Sequence, residues 1–420
     1  MAALNLQRNS EVFFSTINLA GGENPANMTP ANTWKLEVLA GYALTSSAAT
    51  QDITSMESGI EPDRSQQRFN TAVNPVDWNF QTYMRVTGAT ANGASGTVAA
   101  NTSSSGNVKP LADWFMWQSM VSNTRVAAGL NEQSVWRANG ILQSNTTTAV
   151  TGSAASRSNF STANENHLYF FLDNVIYQVA NATVNQATVD AGIDSIATTT
   201  WTGQGSTLIE LLGTTRTNAT TVFGSSVLVT DNTNARSLTA NASYHPYNQM
   251  NVANTIATHA YLRNRLSTIS ITHSTTSNAA AANTYNFPVT ALSFDYTNNI
   301  TYLTPEELAV LNAPIGQFTG TRAITGSATM YLRNGSNESA QFLRNISSDT
   351  RTTSAQTTTA NIFIGGNTAP YVLFNLPAVH FEFPQLAIDD VIAMTVNFVA
   401  QEPASSRSEG GEVVIQAIKG

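Results

Sequence analysis

Five histidines, His167, His245, His259, His273 and His380, are the side chains best suited to move a proton or hold a metal near neutral pH. None lies in a His-Glu-x-x-His pattern, which would set two imidazoles on one helical face around zinc. His245, His259 and His273 recur at even spacing, but the intervals are too long for one compact metal motif. Asp389-Asp390 could hold a cation, yet it directly precedes an alternating apolar stretch and reads as a turn. Gly203-Gln-Gly205 lacks the strand, glycine loop and helix that cradle a phosphate. Trp114-Phe115-Met116-Trp117 reads as helix core rather than a ligand box. With no cysteine there is no disulfide frame, thiol nucleophile or Cys-based zinc site. No catalytic, cofactor-binding or metal-binding residue is assigned, and the expectation is that the protein is not an enzyme.

Composition points to contact rather than chemistry. Charged residues are 11% of the 420, against about 25% in an ordinary soluble domain. Thr, Asn, Ser and Ala take their place, and neutral hydroxyls and amides cost less to desolvate than charges when surfaces meet. Only three of the basic residues are lysines (Lys35, Lys109, Lys419); the rest are arginines, the commoner cation at interfaces. The net charge of −8 and the lack of a basic stripe argue against a DNA-gripping protein, whose affinity comes from neutralising phosphates. Passage of DNA past a neutral or acidic wall is not opposed. No basic region followed by an apolar core opens the chain, and no apolar run approaches the ~18 residues of a membrane span. The expectation is synthesis in a cytoplasm and no membrane partner.

The elements that must position these residues are mainly strands. Ile324, Ala328, Met330 and Leu332 share one face of the stretch 321–333, with Thr321, Thr325, Ser327 and Thr329 on the other. Ile392, Met394, Val396 and Phe398 alternate with Ala393, Thr395 and Asn397. Such strands have one core face and one wet, uncharged face. Helices are expected over Leu111–Val121 and Ser339–Ile346. A helical turn is expected at Thr304–Leu308, with Thr as N-cap and Pro at the first position. The stretches 86–109, 143–166 and 275–283 read as long loops.

Two halves of the chain match in the same order. Asp52–Gly59 matches Leu292–Asn299. Val73–Arg85 matches Thr321–Arg333, both ending Tyr-(Met/Leu)-Arg, so that Asp77, Asn79 and Gln81 fall on Thr325, Ser327 and Thr329. Ala112–Trp117 matches Ala340–Asn345, Leu168–Leu172 matches Tyr371–Leu376, and Asp194–Gln204 matches Asp390–Gln401 with a one-residue difference that a bulge could absorb. This reads as a duplication, with a first half over 1–205, a connecting segment 206–260, a second half 261–401 and a C-terminal tail 402–420. Three copies of a duplicated chain can close a ring of six similar lobes.

The stretch from Ser293 to Arg333 contains Ser-Phe-Asp-Tyr-Thr-Asn-Asn-Ile-Thr-Tyr-Leu-Thr-Pro-Glu and Ala-Pro-Ile-Gly-Gln-Phe-Thr-Gly-Thr-Arg-Ala-Ile-Thr-Gly. It resembles the second half of the duplicated, trimer-forming major tail tube proteins of siphovirus-type phages. Leu6–Ser10, Val12–Ser15, Arg68–Asn70 with Trp78, Asn185–Ala187 and Trp201–Gly203 are similar too. The resemblance implies two tandem β-sandwich or barrel halves, each with a short flanking helix. Inner strands would join a continuous lumen-lining barrel around a trimeric, pseudo-hexameric ring. It implies a long hairpin over Asn298–Gly320 that reaches the next ring, with Asn299, Tyr302, Leu303, Pro305, Glu306, Pro314 and Phe318 as contact residues. It also implies that the immunoglobulin-like C-terminal domain of some relatives is missing. The implied partners are further copies of the chain, the tape measure protein, the tail terminator, the tail-tip or baseplate proteins, and genomic DNA passing through without specific binding.

The wet strand faces carry Asp77, Asn79, Gln81, Thr325, Ser327, Thr329, Glu382, Thr395 and Asn397, with no Lys or Arg between the strand ends. These nine are the candidate lumen-facing residues; the alternative is ordinary solvent exposure. Three other functions stay open. A capsid or head-decoration protein would lack the Asn298–Gly320 signature. A surface-layer or adhesin protein would call for an export signal. A glycan-cleaving tail enzyme needs paired carboxylates in a cleft.

Overall fold

The computed structural model describes residues 10–16, 18, 33–53, 67–87, 111, 113–121, 133–139, 166–172, 175–210, 259–274, 283–306, 313–352, 357–368, 370–388, 391–402 and 410–418. The three expected loops lie almost wholly outside these residues, as do 211–258 of the connecting segment.

Antiparallel strands dominate, as the alternation predicts. The first part of the chain holds β1 (Ser10–Ser15), β2 (Thr33–Leu36), β3 (Ala43–Thr45), β4 (Ala48–Ile53), β5 (Gln67–Val73), β6 (Val76–Tyr83) and β7 (Arg85–Thr87). Helix α1 (Trp114–Val121), β8 (Gln133–Asn139), β9 (Asn166–Leu172), β10 (Val175–Gly192), β11 (Thr198–Gly205) and β12 (Thr207–Glu210) follow. The second part holds β13 (His259–Tyr261), β14 (Thr268–Ser274), β15 (Asn283–Pro288), β16 (Ala291–Thr297), β17 (Ile300–Leu303), β18 (Gly316–Thr319) and β19 (Ala323–Tyr331). Then come α2 (Ser339–Thr352), β20 (Thr357–Ile364), β21 (Tyr371–Leu376), β22 (Val379–Phe381), β23 (Gln385–Ala387), β24 (Ala393–Ala400) and β25 (Gly410–Ile418).

The pairings run through one order twice. An outer layer is ordered β2-β1-β9-β10, and β15-β14-β20-β21 repeats it. An inner layer is ordered β3-β6-β11, and β16-β19-β24 repeats it. A two-stranded hairpin leaves each inner layer at the same point: β4–β5 between β3 and β6, and β17–β18 between β16 and β19. A helix follows in each half, after β6 and β7 in the first and after β19 in the second.

This topology corrects the sequence matching in three places. Asp52 sits in the β4–β5 hairpin, and Ala43–Thr45 takes the place matched to Leu292–Asn299. Leu168–Leu172 lies in β9, whose counterpart by pairing is β20 rather than Tyr371–Leu376. Gln81 faces Thr200 and Thr329 faces Thr395 in ladders without a bulge, so Trp201 aligns with Val396, not Phe398. A slip of two residues keeps every side chain on its own face, so alternation alone cannot reveal it. Two further differences concern ends. Residues 304–306 are irregular, with the rest of the expected turn outside the described residues. The apolar Val413–Ile415 of the tail is the middle of β25, which lies between β21 and β8 and buries Val413 and Ile415.

The halves are fused through β10. Its first part pairs with β9 and β12, and its second part with β11 and β16. The turn between the two parts is at Asn181, whose φ of 49° is left-handed, a region Asn tolerates better than most residues. The inner layers therefore form one sheet, β3-β6-β11-β10-β16-β19-β24, with β22 and β23 both on the far side of β24.

Between inner and outer layers lies one aromatic core. Trp117 of α1 meets Trp201 of the inner sheet (4.9 Å between rings) and Phe374 of the outer one (5.7 Å). Phe342 of α2 meets Tyr285 and Phe287 on one side (5.2 and 5.4 Å) and Phe381 on the other (5.5 Å). Each helix thus plugs the core, and Phe115, Met116 and Trp117 of the aromatic run are buried in it. Helix α1 also ties the halves together, because Asn298 Nδ2 donates to the Met120 carbonyl at 3.2 Å. Its start is pinned to β6: Thr82 Oγ1 donates to Asp113 Oδ2 at 2.7 Å and accepts Trp201 Nε1 at 3.0 Å. Burial pushes the Asp113 carboxyl up, while Arg85 and the Thr82 hydroxyl pull it down.

Candidate functional site

The inner sheet has one face in the core and one face bare. On β6 the core face holds Val76, Trp78, Phe80 and Thr82, and the bare face holds Asp77, Asn79, Gln81 and Tyr83. Registers carry the bare face across strands. Asp77, Asn79 and Gln81 lie opposite Gln204, Thr202 and Thr200 of β11. Thr202 and Thr200 face Gln186 and Thr188 of β10, and these face Thr297 and Asp295 of β16. Asp295 and Ser293 face Thr325 and Ser327 of β19, and Ser327 and Thr329 face Asn397 and Thr395 of β24.

Eight of the nine candidates, on three strands in two halves, thus share one continuous surface. Glu382, beside β24, joins it by accepting from Asn397 Nδ2 at 3.0 Å. Sequence reading missed the middle of this surface, namely Thr200, Thr202, Gln204, Gln186, Thr188, Ser293 and Asp295. The alternation of Thr198–Gly205 carried a signal, but β10 is masked by the bulge between Val184 and Gln186, which breaks the period of two.

The surface is a lateral net of side-chain hydrogen bonds. Gln204 Nε2 donates to Asp77 Oδ1 at 2.9 Å, Gln81 Nε2 to Thr200 Oγ1 at 3.0 Å, and the Thr329 and Thr395 hydroxyls meet at 3.1 Å. Thr188 donates to Asp295. Its charges are the carboxylates of Asp77, Asp190, Asp295 and Glu382, and no Lys or Arg occupies the bare-face positions of these strands. Side chains already bonded to one another offer little to a passing polyanion, and the carboxylates repel it.

The seven hairpin candidates separate. Leu303, Phe318 and Glu306 are exposed, Pro305 is partly so, and Ile315, which the sequence did not single out, is 71% exposed. Asn299, at φ 52°, closes the hairpin base, its carbonyl accepting the Gly320 N–H at 2.9 Å and its side chain bonding the Thr321 carbonyl. Tyr302 and Pro314 are buried within the chain. The Tyr302 hydroxyl donates to the Asn181 carbonyl at the corner of β10. Tyr302 is therefore an anchor of the hairpin. The equivalent β4–β5 hairpin, with Ile53 and Phe69 each 48% exposed, was not foreseen.

The residues first considered for chemistry are dispersed. His167 and His273 are buried on β9 and β14, while His380 is exposed on β22. His167 Nδ1 accepts the Asn181 N–H at 3.2 Å, and burial holds its pKa down at about 4. Gly203 and Gly205 lie in β11, where close packing excludes a side chain. Among the described residues no three His, Asp or Glu side chains gather as a metal site. His245 and Asp389-Asp390 lie outside the described residues, and the His259 side chain is not described.

No family model matches the chain. It is similar to the tail tube protein pb6 of Escherichia phage T5, at 25% identity over 406 residues that cover 95% of this chain and 73% of that protein. The resemblance to siphovirus-type major tail tube proteins, first seen in patches, thus extends over nearly the whole length.

Proposed function

We propose that the chain is the structural subunit of a phage tail tube. Copies join into a ring, three copies giving six similar lobes, and rings stack into a hollow conduit that delivers the genome. Each copy contributes two tail-tube-like units, 1–205 and 261–401, joined by 206–260, and the segment 402–420 adds its strand to the outer sheet of the second. The observation that carries this reading is the single cation-free face that both halves build from equivalent strands. That face becomes the lumen wall, with Asp77, Asn79, Gln81, Thr325, Ser327, Thr329, Glu382, Thr395 and Asn397 on it. Leu303, Glu306, Phe318 and Ile315 on the β17–β18 hairpin reach the next ring. Partners are further copies, the tape measure protein that fills the tube before DNA, the terminator at one end and tip proteins at the other. Its place is the virion tail, after synthesis in the host cytoplasm, and its role is non-enzymatic.

Electron microscopy of the concentrated protein, with end-on views averaged, tests the reading. Hollow tubes of three-fold rings with six lobes are the expected result. Plain six-fold rings would keep the tube and remove the two-lobe subunit. Closed shells or flat lattices would replace it with a capsid or surface-layer function.

A further inference from the structure

The far edge of the inner sheet carries an apolar cluster. Phe383, Leu386, Ile388, Val391 and Ile392 are 62%, 44%, 78%, 60% and 38% exposed. The internal repeat says what such an edge normally meets. Thr200 and Thr395 are equivalent, since they face the equivalent Gln81 and Thr329. Thr188 lies beside Thr200, and Gln385 lies beside Thr395. The β22–β23 segment is therefore the second-half counterpart of the later part of β10. Both even slip register at the same point: β10 between Val184 and Gln186, and its counterpart after Phe381, where the Glu382 N–H bonds the Asn397 carbonyl.

On β10 the residues equivalent to Leu386 and Ile388 are Val189 and Ala191, only 1% and 4% exposed. They are covered because β16 lies alongside. The chain thus displays, at its own internal joint, the strand that the β22–β23 edge lacks. The counterpart of β16 is β3, at the opposite end of the same sheet, and β3 has no strand on its outer side among the described residues. From β3 to β22–β23 the sheet is eight positions wide and every neighbouring pair is antiparallel. An even number of alternating strands lets one copy's end meet the next copy's beginning with the alternation unbroken. Such a head-to-tail contact closes rings and removes both exposed edges.

We infer that the β22–β23 edge of one copy pairs with β3 of the next, in the register that β10 and β16 show internally. Asp295 faces Thr325 as Thr45 faces Asp77, so Thr45 is the counterpart of Asp295, the residue opposite Thr188. Gln385 then lies opposite the next copy's Thr45, with Leu386 opposite Leu44 and Ala387 opposite Ala43. Leu386 and Leu44 extend the core across the joint, while Gln385 and Thr45 extend the bare polar face. This joint rests on the ring reading above and specifies its residues.

The chain contains no cysteine, so introduced thiols report cleanly. Thr45→Cys and Gln385→Cys are both at exposed positions. Opposed residues of an antiparallel pair fall within disulfide reach. Full-length T45C and Q385C proteins are mixed, assembled, oxidised, and run on non-reducing gels while the same sample is imaged. Disulfide dimers from the mixture, absent from either variant alone, are the expected result. Rings or tubes without that disulfide overturn the joint and leave the tube reading standing. T45C alone cross-linking as well as the mixture overturns it in favour of a two-fold contact. A mixture that forms no assemblies, alongside an unmodified chain that forms none, removes both readings. As a second measurement, Leu386→Asp with Ile388→Asp should keep the circular dichroism of the unmodified monomer and lose ring formation; normal rings from that variant also overturn the joint.

Discussion

Trp78 and Phe398 fill equivalent volumes in the two halves, each from the opposite strand of its pair. In the first half the indole on β6 lies over Gly203 of β11; in the second the ring on β24 lies over Gly326 of β19. A Cβ on Gly326 would stand 2.3 Å from the Phe398 ring and 2.4 Å from the Ser293 carbonyl, and one on Gly203 would stand 2.2 Å from Trp78 and 2.0 Å from the Thr183 carbonyl. Gly326→Ala is therefore expected to cost about 3 kcal/mol, the upper range for overpacking. Adding Phe398→Leu should restore only part of it, because the backbone clash with Ser293 stays. Urea midpoints of the unassembled chain measure both; a neutral Gly326→Ala would show that the two strands can part. His167 offers a pH reading. Its folded pKa of about 4 lies below the unfolded value near 6.5, so the unfolded chain binds the proton more readily. The stability contributed by neutral His167 is full above about pH 6.5 and is lost as pH falls towards 4, by on the order of 3 kcal/mol. Asp113, whose folded pKa is raised, works in the opposite direction, losing its contribution as pH rises through that pKa. The difference between the chain and His167→Gln isolates the histidine. Their denaturant midpoints should converge between pH 6.5 and pH 4.5, and parallel curves would contradict the buried neutral imidazole.

Strand β25 shows how an element far along the chain secures the inner sheet. Val413, Ile415 and Ala417 are buried, and Glu412 holds Arg322 at the foot of the β17–β18 hairpin. Arg322 also bonds the buried Tyr296 hydroxyl, whose pKa burial pushes up to about 12. Glu412→Gln leaves a largely buried guanidinium without its carboxylate and is expected to cost about 3 kcal/mol. Proteolysis of the hairpin should rise in parallel, because its base loses a fixed neighbour; unchanged stability would mean the ion pair is solvated in solution. Elements such as β6, β19, β24 and both helices were legible because period and caps are local properties. The partners of those strands were less so. β25 read as a tail because Glu402–Gly411 is rich in Ser and Gly, and nothing local in Val413–Ile415 shows that β21 and β8 lie on either side. The contact role of Tyr302 came from the family resemblance, and nothing local shows that the corner at Asn181 turns the phenol inward. The nine bare-face residues were legible as a set because alternation reports face directly, whereas the strands that join them, β10 above all, depend on pairings distant in sequence.

At the scale of the molecule, the proposed tube would repeat the bare face of both halves along its whole length. Asn79 and Ser327 occupy equivalent places, so one substitution at each would appear six times per three-copy ring and in every ring of the stack. Asn79→Lys with Ser327→Lys would replace neutral groups on a cation-free surface with ammonium groups aimed at passing phosphates. Each phosphate contact releases counterions and so strengthens at low salt. The variant should assemble into tubes of ordinary dimensions, since neither residue touches the core. Release of DNA from particles carrying it should slow, on the order of tenfold at low ionic strength, and recover as salt screens the charges over about 10 Å at 0.1 M. Asn286→Lys, on the exposed face of β15 in the outer layer, supplies the control, because it adds the same charge away from the bare face. A time course of DNA release at several salt concentrations separates the two. Slowing confined to the Asn79 and Ser327 variant places the face at the lumen. Equal rates in all three tubes would move that face to the outside of the particle, and with it the strongest link between this fold and a conduit for DNA.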